Sequence, residues 1–470
     1  MSQLHLYNTL SRNIEPFEAI TPGKAHVYSC GPTVYSRQHL GNLRPYVMAD
    51  LLTRVLRLSG LEVRHVINIT DVGHLTDDAD QGDDKLELAA RRSGASALEV
   101  ARIWTELFRR DLSLLSVREP DVWARATEHI PDQIEMIRLL EAKGFTYRAR
   151  DGLYFDTARD PGYGALSRLR ATRQHTRLEP AQGSHKRSPA DFALWKLSPS
   201  DGPRRQLEWP SPWGTGFPGW HIECSAMASK YLGPRIDIHT GGVDHVAVHH
   251  TNEIAQSENA LEARPWVRVW MHGAWLELDG EKISKSRSHE REPPNLDHLS
   301  TLGVTPGGFR YYLYTAHYRS PLALSGEALR GAEAARRRLR TLVRAGADAD
   351  ASFGLRSRSL ESLRDKFQAA LLDDLDAPRA LAVLWEIADQ PDPLPLRARL
   401  IRELGESIGL SLDGRAPATD DDALVENLVA RRNAARQARD FALSDALRAE
   451  LTAMGVLLED SPSGSTWRRV

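Results

Sequence analysis

Cysteine is the rarest residue of this chain, with two in 470 positions, Cys30 and Cys224. The opening Met1-Ser-Gln-Leu-His lacks the basic and apolar stretches of a secretory signal. A disulfide scaffold is therefore not expected, and the cytoplasm is the default compartment. Lysine is nearly as sparse: nine lysines among 61 basic residues leave 52 arginines. No run of about 18 uncharged apolar residues occurs, so no membrane-spanning helix is expected. Charge of one sign is missing too. A net charge of -2 and a pI near 6.8 exclude a globally basic nucleic-acid coat, although a local basic face stays open. No G-x-G-x-x-G follows the first expected strand, which argues against a dinucleotide-binding oxidoreductase. There is no internal repeat.

What is present suffices for several cores. A mass of 52.5 kDa with 41% hydrophobic residues suggests about three domains. Residues 26–30 read as a buried strand closed by Gly31-Pro32. Residues 42–59 read as a helix with Asn42 able to cap it and Pro45 in its first turn, and 63–70 as a second strand. This βαβ unit predicts an α/β fold with a doubly wound parallel sheet, whose ligand site lies at the carboxyl ends of the strands. From about 120 to 212 the composition shifts towards Arg, Pro and Gly with short strands, as in an insertion. After about 320 the chain reads as helical, Ser411–Asp422 as a linker, and 423–454 as a helical hairpin with an extended tail.

Three segments carry chemistry. Cys30 ends the first strand, Cys224 lies in Pro218-Gly-Trp-His-Ile-Glu-Cys224, and His249-His-Thr-Asn-Glu253 holds an imidazole and a carboxylate four residues apart. On a helix, His249 and Glu253 share a face. Two thiolates, an imidazole and a carboxylate would complete a tetrahedral zinc shell. Their separation makes no local zinc knuckle, and spacing alone favours two inert buried thiols. His39-Leu-Gly-Asn42 opens a helix after a strand, where backbone N–H groups and an imidazole attract phosphate and Gly41 leaves room for a nucleotide. Lys282-Ile-Ser-Lys285-Ser286 supplies two of the nine ammonium groups, suited to the charge on leaving pyrophosphate; the alternative is an ordinary polar turn.

The pair His39-Leu-Gly-Asn42 and Lys282-Ile-Ser-Lys-Ser286 resembles the HIGH and KMSKS signatures of class I aminoacyl-tRNA synthetases. Cys30-Gly-Pro-Thr-Val-Tyr35, Trp220-His-Ile-Glu-Cys-Ser-Ala226, Asp237-Ile-His-Thr-Gly-Gly-Val-Asp244 and His249-His-Thr-Asn-Glu-Ile-Ala-Gln-Ser-Glu258 narrow it to the cysteinyl-tRNA synthetase family. The resemblance spans nearly the whole chain. It implies zinc on Cys30, Cys224, His249 and Glu253, with His250 the rival of His249. It implies cysteine held by Thr70, Trp220, His239 and Asp244, with Asp244 on the ammonium and Trp220 walling the thiol pocket. It implies ATP, with magnesium, on His39, Gly41, Asn42, Lys282 and Lys285, with His39 and Lys285 stabilising charge. The expected partners are ATP, L-cysteine and cysteine tRNA, without a membrane, for a monomer.

The expected organisation is a Rossmann-like catalytic domain over 1–120 and 211–275, an insertion over 121–210 and a stem with the lysine loop over 276–320. A helical tRNA-binding bundle over 321–410 and an anticodon module over 420–470 follow. In that module Arg431, Arg432, Arg436 and Arg439 are expected on one helix flank, with Arg468 and Arg469 beside Trp467. Two other readings are a ligase joining cysteine to the amino sugar of mycothiol and a non-catalytic zinc-containing tRNA-binding protein. The chain departs from the family's usual pattern at 72–85, 245–251 and 287–292.

Overall fold

The computed structural model describes residues 3–73, 84–168, 185–198, 205–278, 281–283, 293–347, 357–413, 420–437, 440–453, 456–461 and 464–469. They form two compact units, one up to Asp413 and one from Gly414.

In the first unit an antiparallel hairpin, β1 (His5–Asn8) and β2 (Asn13–Pro16), precedes β3 (Lys24–Ser29). α1 (Leu40–Leu58) connects β3 to β4 (Glu62–Ile69), and β3 and β4 pair in parallel, Lys24 opposite Glu62 and Ser29 opposite Ile67. The expected βαβ unit is therefore present, but its helix starts earlier. His39 is the N-cap, and Asn42 answers it from the third helical position in a reciprocal capping box. Asn42 thus caps from inside the helix rather than ahead of it. Pro45 consequently sits beyond the first turn and has no N–H to offer the Gly41 carbonyl.

α2 (Lys85–Ser93) and α3 (Ala97–Leu114) lead to β5 (Val122–Arg125), which pairs in parallel with β4. β5 thus joins the main sheet although it falls within the expected insertion. α4 (Ile130–Ala142) and an antiparallel sheet of β6 (Thr146–Ala149), β7 (Gly152–Phe155), β8 (Phe192–Leu197) and β9 (Gly216–Pro218) follow. The chain returns through α5 (Trp220–Leu232), β10 (Ile236–Gly242), α6 (His249–Leu261) and β11 (Val267–Gly273).

The main sheet has the order β11-β10-β3-β4-β5, all parallel. The chain moves outward in one direction from β3 and in the other from β10, so the topological switch lies between β3 and β10, where open α/β sheets bind ligands. Every residue of β10 is buried, as a central strand covered on both faces requires. α5 joins two cores. Cys224, Met227 and Ala228 pack with the main sheet, while Ile222 and Ala226 pack with Phe155, Phe192 and Leu194 of the antiparallel sheet.

Beyond β11, β12 (Leu276–Leu278) pairs with β13 (Glu281–Lys282). α7 (His298–Thr301) and α8 (Pro306–Leu313) precede β14 (Leu322–Ala323), which pairs with β12. Four helices end the unit: α9 (Gly326–Ala347), α10 (Arg358–Leu372), α11 (Ala377–Ala388) and α12 (Leu394–Ser407). No described helix is long and apolar enough to cross a membrane.

The second unit holds α13 (Asp420–Gln437), α14 (Phe441–Ala453) and the antiparallel pair β15 (Val456–Ser461) and β16 (Gly464–Arg469). Val425, Leu428, Leu447, Leu451 and Val456 make its core. The expected arginine flank is not intact: Arg432 follows Leu428 by one turn, is 2% exposed and hydrogen-bonds the Ser465 hydroxyl at 2.7 Å. Arg431 and Arg436 are exposed. Arg439 and the side chains of Arg468 and Arg469 lie outside the described residues.

Candidate active site

Cys30 directly follows β3, and its N–H bonds the Thr240 carbonyl of β10 at 3.1 Å. It therefore sits at the switch point. The next residue must be glycine: a Cβ on Gly31 would lie 1.5 Å from the Asn68 carbonyl oxygen. α5 brings Cys224 and α6 brings His249, His250 and Glu253 to the same place. One ligand atom each from Cys30, Cys224, His249 and Glu253 lie mutually within 4.8 Å, all four residues buried. A second, overlapping set is Cys30, His239, His250 and Glu253.

The helical spacing of His249 and Glu253 has the expected consequence, an imidazole Nε2 2.9 Å from the carboxylate Oε1. Both histidines of the pair reach the cluster, His250 Nε2 lying 3.2 Å from Cys30 Sγ and 3.9 Å from Glu253 Oε1. His239 stands behind Glu253, its Nε2 3.0 Å from Oε2. Trp220 stacks on His249 with ring centroids 4.2 Å apart. Thr70 is buried at the end of β4 and accepts a hydrogen bond from Asn68 Nδ2 at 3.1 Å. Asp244 is exposed in the turn between β10 and α6.

Electrostatics bind the cluster together. Burial opposes charge on Glu253, yet His239 and His249 beside it hold the carboxyl below its usual range. Burial also works against the His249 imidazolium, and Glu253 and Cys224 outweigh it, so this pKa rises. A hydrogen bond with Cys30 lowers the Cys224 thiol against burial, while burial and Cys224 raise Cys30. These shifts favour negative charge on the Cys224 thiol and the Glu253 carboxyl and positive charge on the His249 imidazole. A divalent cation on these donors would supply that positive charge directly. Two sulfurs, a nitrogen and a carboxylate oxygen are the donor set of tetrahedral zinc, so the residues fit that ion.

The phosphate-directed motif lies at the start of α1. His39 Nδ1 accepts the Asn42 N–H at 3.2 Å, and Asn42 Oδ1 accepts the His39 N–H at 3.3 Å. A Cβ on Gly41 would lie 3.1 Å from the His39 ring and 3.5 Å from Ile283, so the strand bearing Lys282 ends against this turn. Lys285 and the side chain of Lys282 lie outside the described residues.

Sequence reasoning missed several side chains. His221 Nδ1 is 2.9 Å from His249 Nδ1, and His272 Nε2 is 2.7 Å from His250 Nδ1. His221 is one turn from Cys224's neighbours and was legible as part of its motif; His272 had only the carboxyl end of a buried strand as its signal. Glu223 is fully buried, with the Thr70 side chain beside its carboxyl as a hydrogen-bonding neighbour. Burial, then Cys224 and Asp71, raises its pKa well above the ordinary value.

Comparison with known proteins places the chain in a family. The family model described as "tRNA synthetases class I (C) catalytic domain" matches residues 16–334, and "Cysteinyl-tRNA ligase anticodon binding domain" matches 419–468. "Cysteine--tRNA ligase 1" of Burkholderia lata is 47% identical over 98% of this chain and 96% of its own. "Cysteine--tRNA ligase" of Treponema denticola is 39% identical over 99% and 100%. Among solved structures, Mycobacterium tuberculosis methionyl-tRNA synthetase with methionyl-adenylate superposes with a TM-score of 0.56 at 14% identity, covering 86% of this chain and 94% of that one. The LeuRS–tRNA–LeuAMS complex of Agrobacterium radiobacter gives 0.60 at 12%, covering 85% and 87%. At such identities the two structures speak for the fold alone.

Proposed function

The chain belongs to the cysteinyl-tRNA ligase family of class I aminoacyl-tRNA synthetases, which are ATP-dependent ligases, and on that premise we propose that it charges cysteine tRNA with L-cysteine selected on zinc. The observation that carries the selection is the convergence of Cys30, Cys224, His249 and Glu253 at the switch point of the sheet. This set is preferred to the overlapping one because it uses both thiols, and His239 already faces Glu253 from behind. The match of 419–468 to an anticodon-binding domain favours tRNA over an amino sugar as acceptor.

In this reading the substrate carboxylate attacks the α-phosphorus of ATP and pyrophosphate leaves. The terminal adenosine hydroxyl of the tRNA then attacks the cysteinyl carbonyl and AMP leaves. Neither step needs a covalent protein nucleophile; orientation and charge stabilisation suffice, with magnesium accompanying the phosphates. His39 and the first turn of α1 receive the nucleotide, and Lys282 and Lys285 serve the departing phosphates. Trp220, already stacked on His249, walls the thiol, while Thr70, His239 and Asp244 surround the rest of the amino acid. Zinc held here supplies a soft Lewis acid that ligates a thiolate and lowers a thiol's pKa from about 8.5. An apolar pocket alone separates a thiol from a hydroxyl or an extra methylene by only about 1–3 kcal/mol.

Metal analysis of the purified protein, with cysteine-dependent ATP–pyrophosphate exchange and charging of transcribed cysteine tRNA, tests the proposal. One zinc per chain is expected, and Cys224→Ser should abolish cysteine activation while retaining the fold. Active protein free of zinc would sink the selection mechanism. Wild-type exchange by Cys224→Ser would remove Cys224 from the ligand set.

A further inference from the structure

Behind Cys30 runs a line of three buried side chains from three separate elements. His250 of α6 places Nε2 3.2 Å from Cys30 Sγ. Its Nδ1 is 2.7 Å from Nε2 of His272, near the end of β11. His272 Nδ1 in turn is 2.8 Å from the hydroxyl of Thr9, the residue after β1. His250, His272 and Thr9 are 0%, 6% and 4% exposed. The Thr9 N–H donates to the Trp270 carbonyl at 2.8 Å, which fixes the hydroxyl against the strand that carries His272.

Resting on the zinc reading above, we propose that Thr9, His272 and His250 are positioning residues that aim Cys30 at the metal and tune its sulfur as a ligand. A metal-bound thiolate has no proton and only accepts hydrogen bonds. His250 must therefore present Nε2–H to the sulfur. A neutral imidazole protonated at Nε2 has a bare Nδ1, which accepts. His272 fills it with its own Nε2–H, leaving its Nδ1 bare in turn. A hydroxyl both donates and accepts, so Thr9 can begin the line by donating to that nitrogen. All three bonds then point towards the sulfur, and the amino-terminal hairpin sets the tautomer of both histidines. A donor on the sulfur draws charge from it and fixes its direction, as outer partners of metal ligands generally do. Thr9 and His272 belong to neither convergent donor set, so altering them leaves every candidate ligand in place.

The test uses the full chain with zinc, and with cobalt(II) substituted for it. Thr9→Val keeps the side-chain shape and removes only the hydroxyl; His272→Gln alters the middle of the line; Thr9→Ser restores the donor. Competition with a chelator at fixed pH should show zinc affinity ~10–100-fold weaker in Thr9→Val and His272→Gln. The thiolate-to-cobalt charge-transfer band should shift in the same two variants and return in Thr9→Ser. A loss of packing alone would move thermal stability but not that band. Folded Thr9→Val with unchanged zinc affinity and an unchanged cobalt spectrum would overturn the inference, even should His272→Gln fail to fold. A wild-type chain that binds no zinc would overturn the zinc reading and this inference together, whereas wild-type zinc with unaffected variants overturns this inference alone.

Discussion

Gly31 shows how little tolerance the site has. Its α-carbon faces the Asn68 carbonyl so closely that an added methyl carbon would fall 1.5 Å from the oxygen, and its N–H is held by Asn68 Oδ1 at 2.7 Å. Overpacking usually costs ~1–3 kcal/mol, and here the obstacle is backbone that cannot swing aside. Gly31→Ala should therefore lose about 3 kcal/mol or more, or fail to fold; a urea midpoint equal to wild type would refute this account. At this scale the legible part of the site was the part with local geometry. His249 and Glu253 follow from helix periodicity alone. The meeting of Cys30 and Cys224 does not, because it depends on strand order, and their spacing suits two inert thiols as well. His272 was invisible for the same reason: nothing in its neighbourhood announces that Thr9, 263 residues away, reaches it.

The central elements carry their own consequences. His65, in the middle of β4, is buried, and its Nε2 is 2.8 Å from the Ser29 hydroxyl of β3. Burial lowers its pKa from 6.5 to about 4. Between these values the unfolded chain binds the proton that the folded chain refuses, so stability is full above pH 6.5 and falls as pH drops towards 4. At ~1.4 kcal/mol per pH unit the loss approaches about 3 kcal/mol. Urea titrations at pH 7, 5.5 and 4 should show it, and His65→Gln should flatten the slope; an unchanged slope would assign the acid sensitivity elsewhere. In α1, Arg44 is 3% exposed and donates to four carbonyls, those of Ala274, Trp275, His317 and Ser320, at 2.7–3.2 Å. Arg44→Leu strands these acceptors at ~1–3 kcal/mol each where no water enters, so a loss of at least about 3 kcal/mol is expected, with Arg44→Lys intermediate. Equal stability of both variants and wild type would contradict the clamp. The βαβ core was legible because its apolar runs and Gly-Pro punctuation are local signals. The start of α1 was misjudged because histidine is an unusual cap and needed Asn42 to complete the box. β5 was hidden because four residues, Val-Trp-Ala-Arg, carry no strand pattern of their own.

On the scale of the whole molecule, the parallel sheet and the helical carboxyl-terminal region agree with the expected class. The amino-acid pattern could not say how far each piece stands alone. The second unit closes its own small core around Val425, Leu428, Leu447 and Leu451. Removing residues 420–470 should therefore leave cysteine-dependent ATP–pyrophosphate exchange intact while raising KM for tRNA. The lost binding in the full chain should weaken with salt as phosphate contacts release counterions. Charging by a folded truncation as efficient as the full chain at every ionic strength would remove this unit from tRNA binding. The ligand arrangement also has a history in time. Cys30 and Glu253 are 223 residues apart. At ~5–20 residues per second of synthesis, the first donor emerges roughly 10–45 s before the last. Throughout that interval the growing polypeptide lacks the complete donor set, yet between Cys30 and Cys224 the sequence places no second thiol with which Cys30 could oxidise.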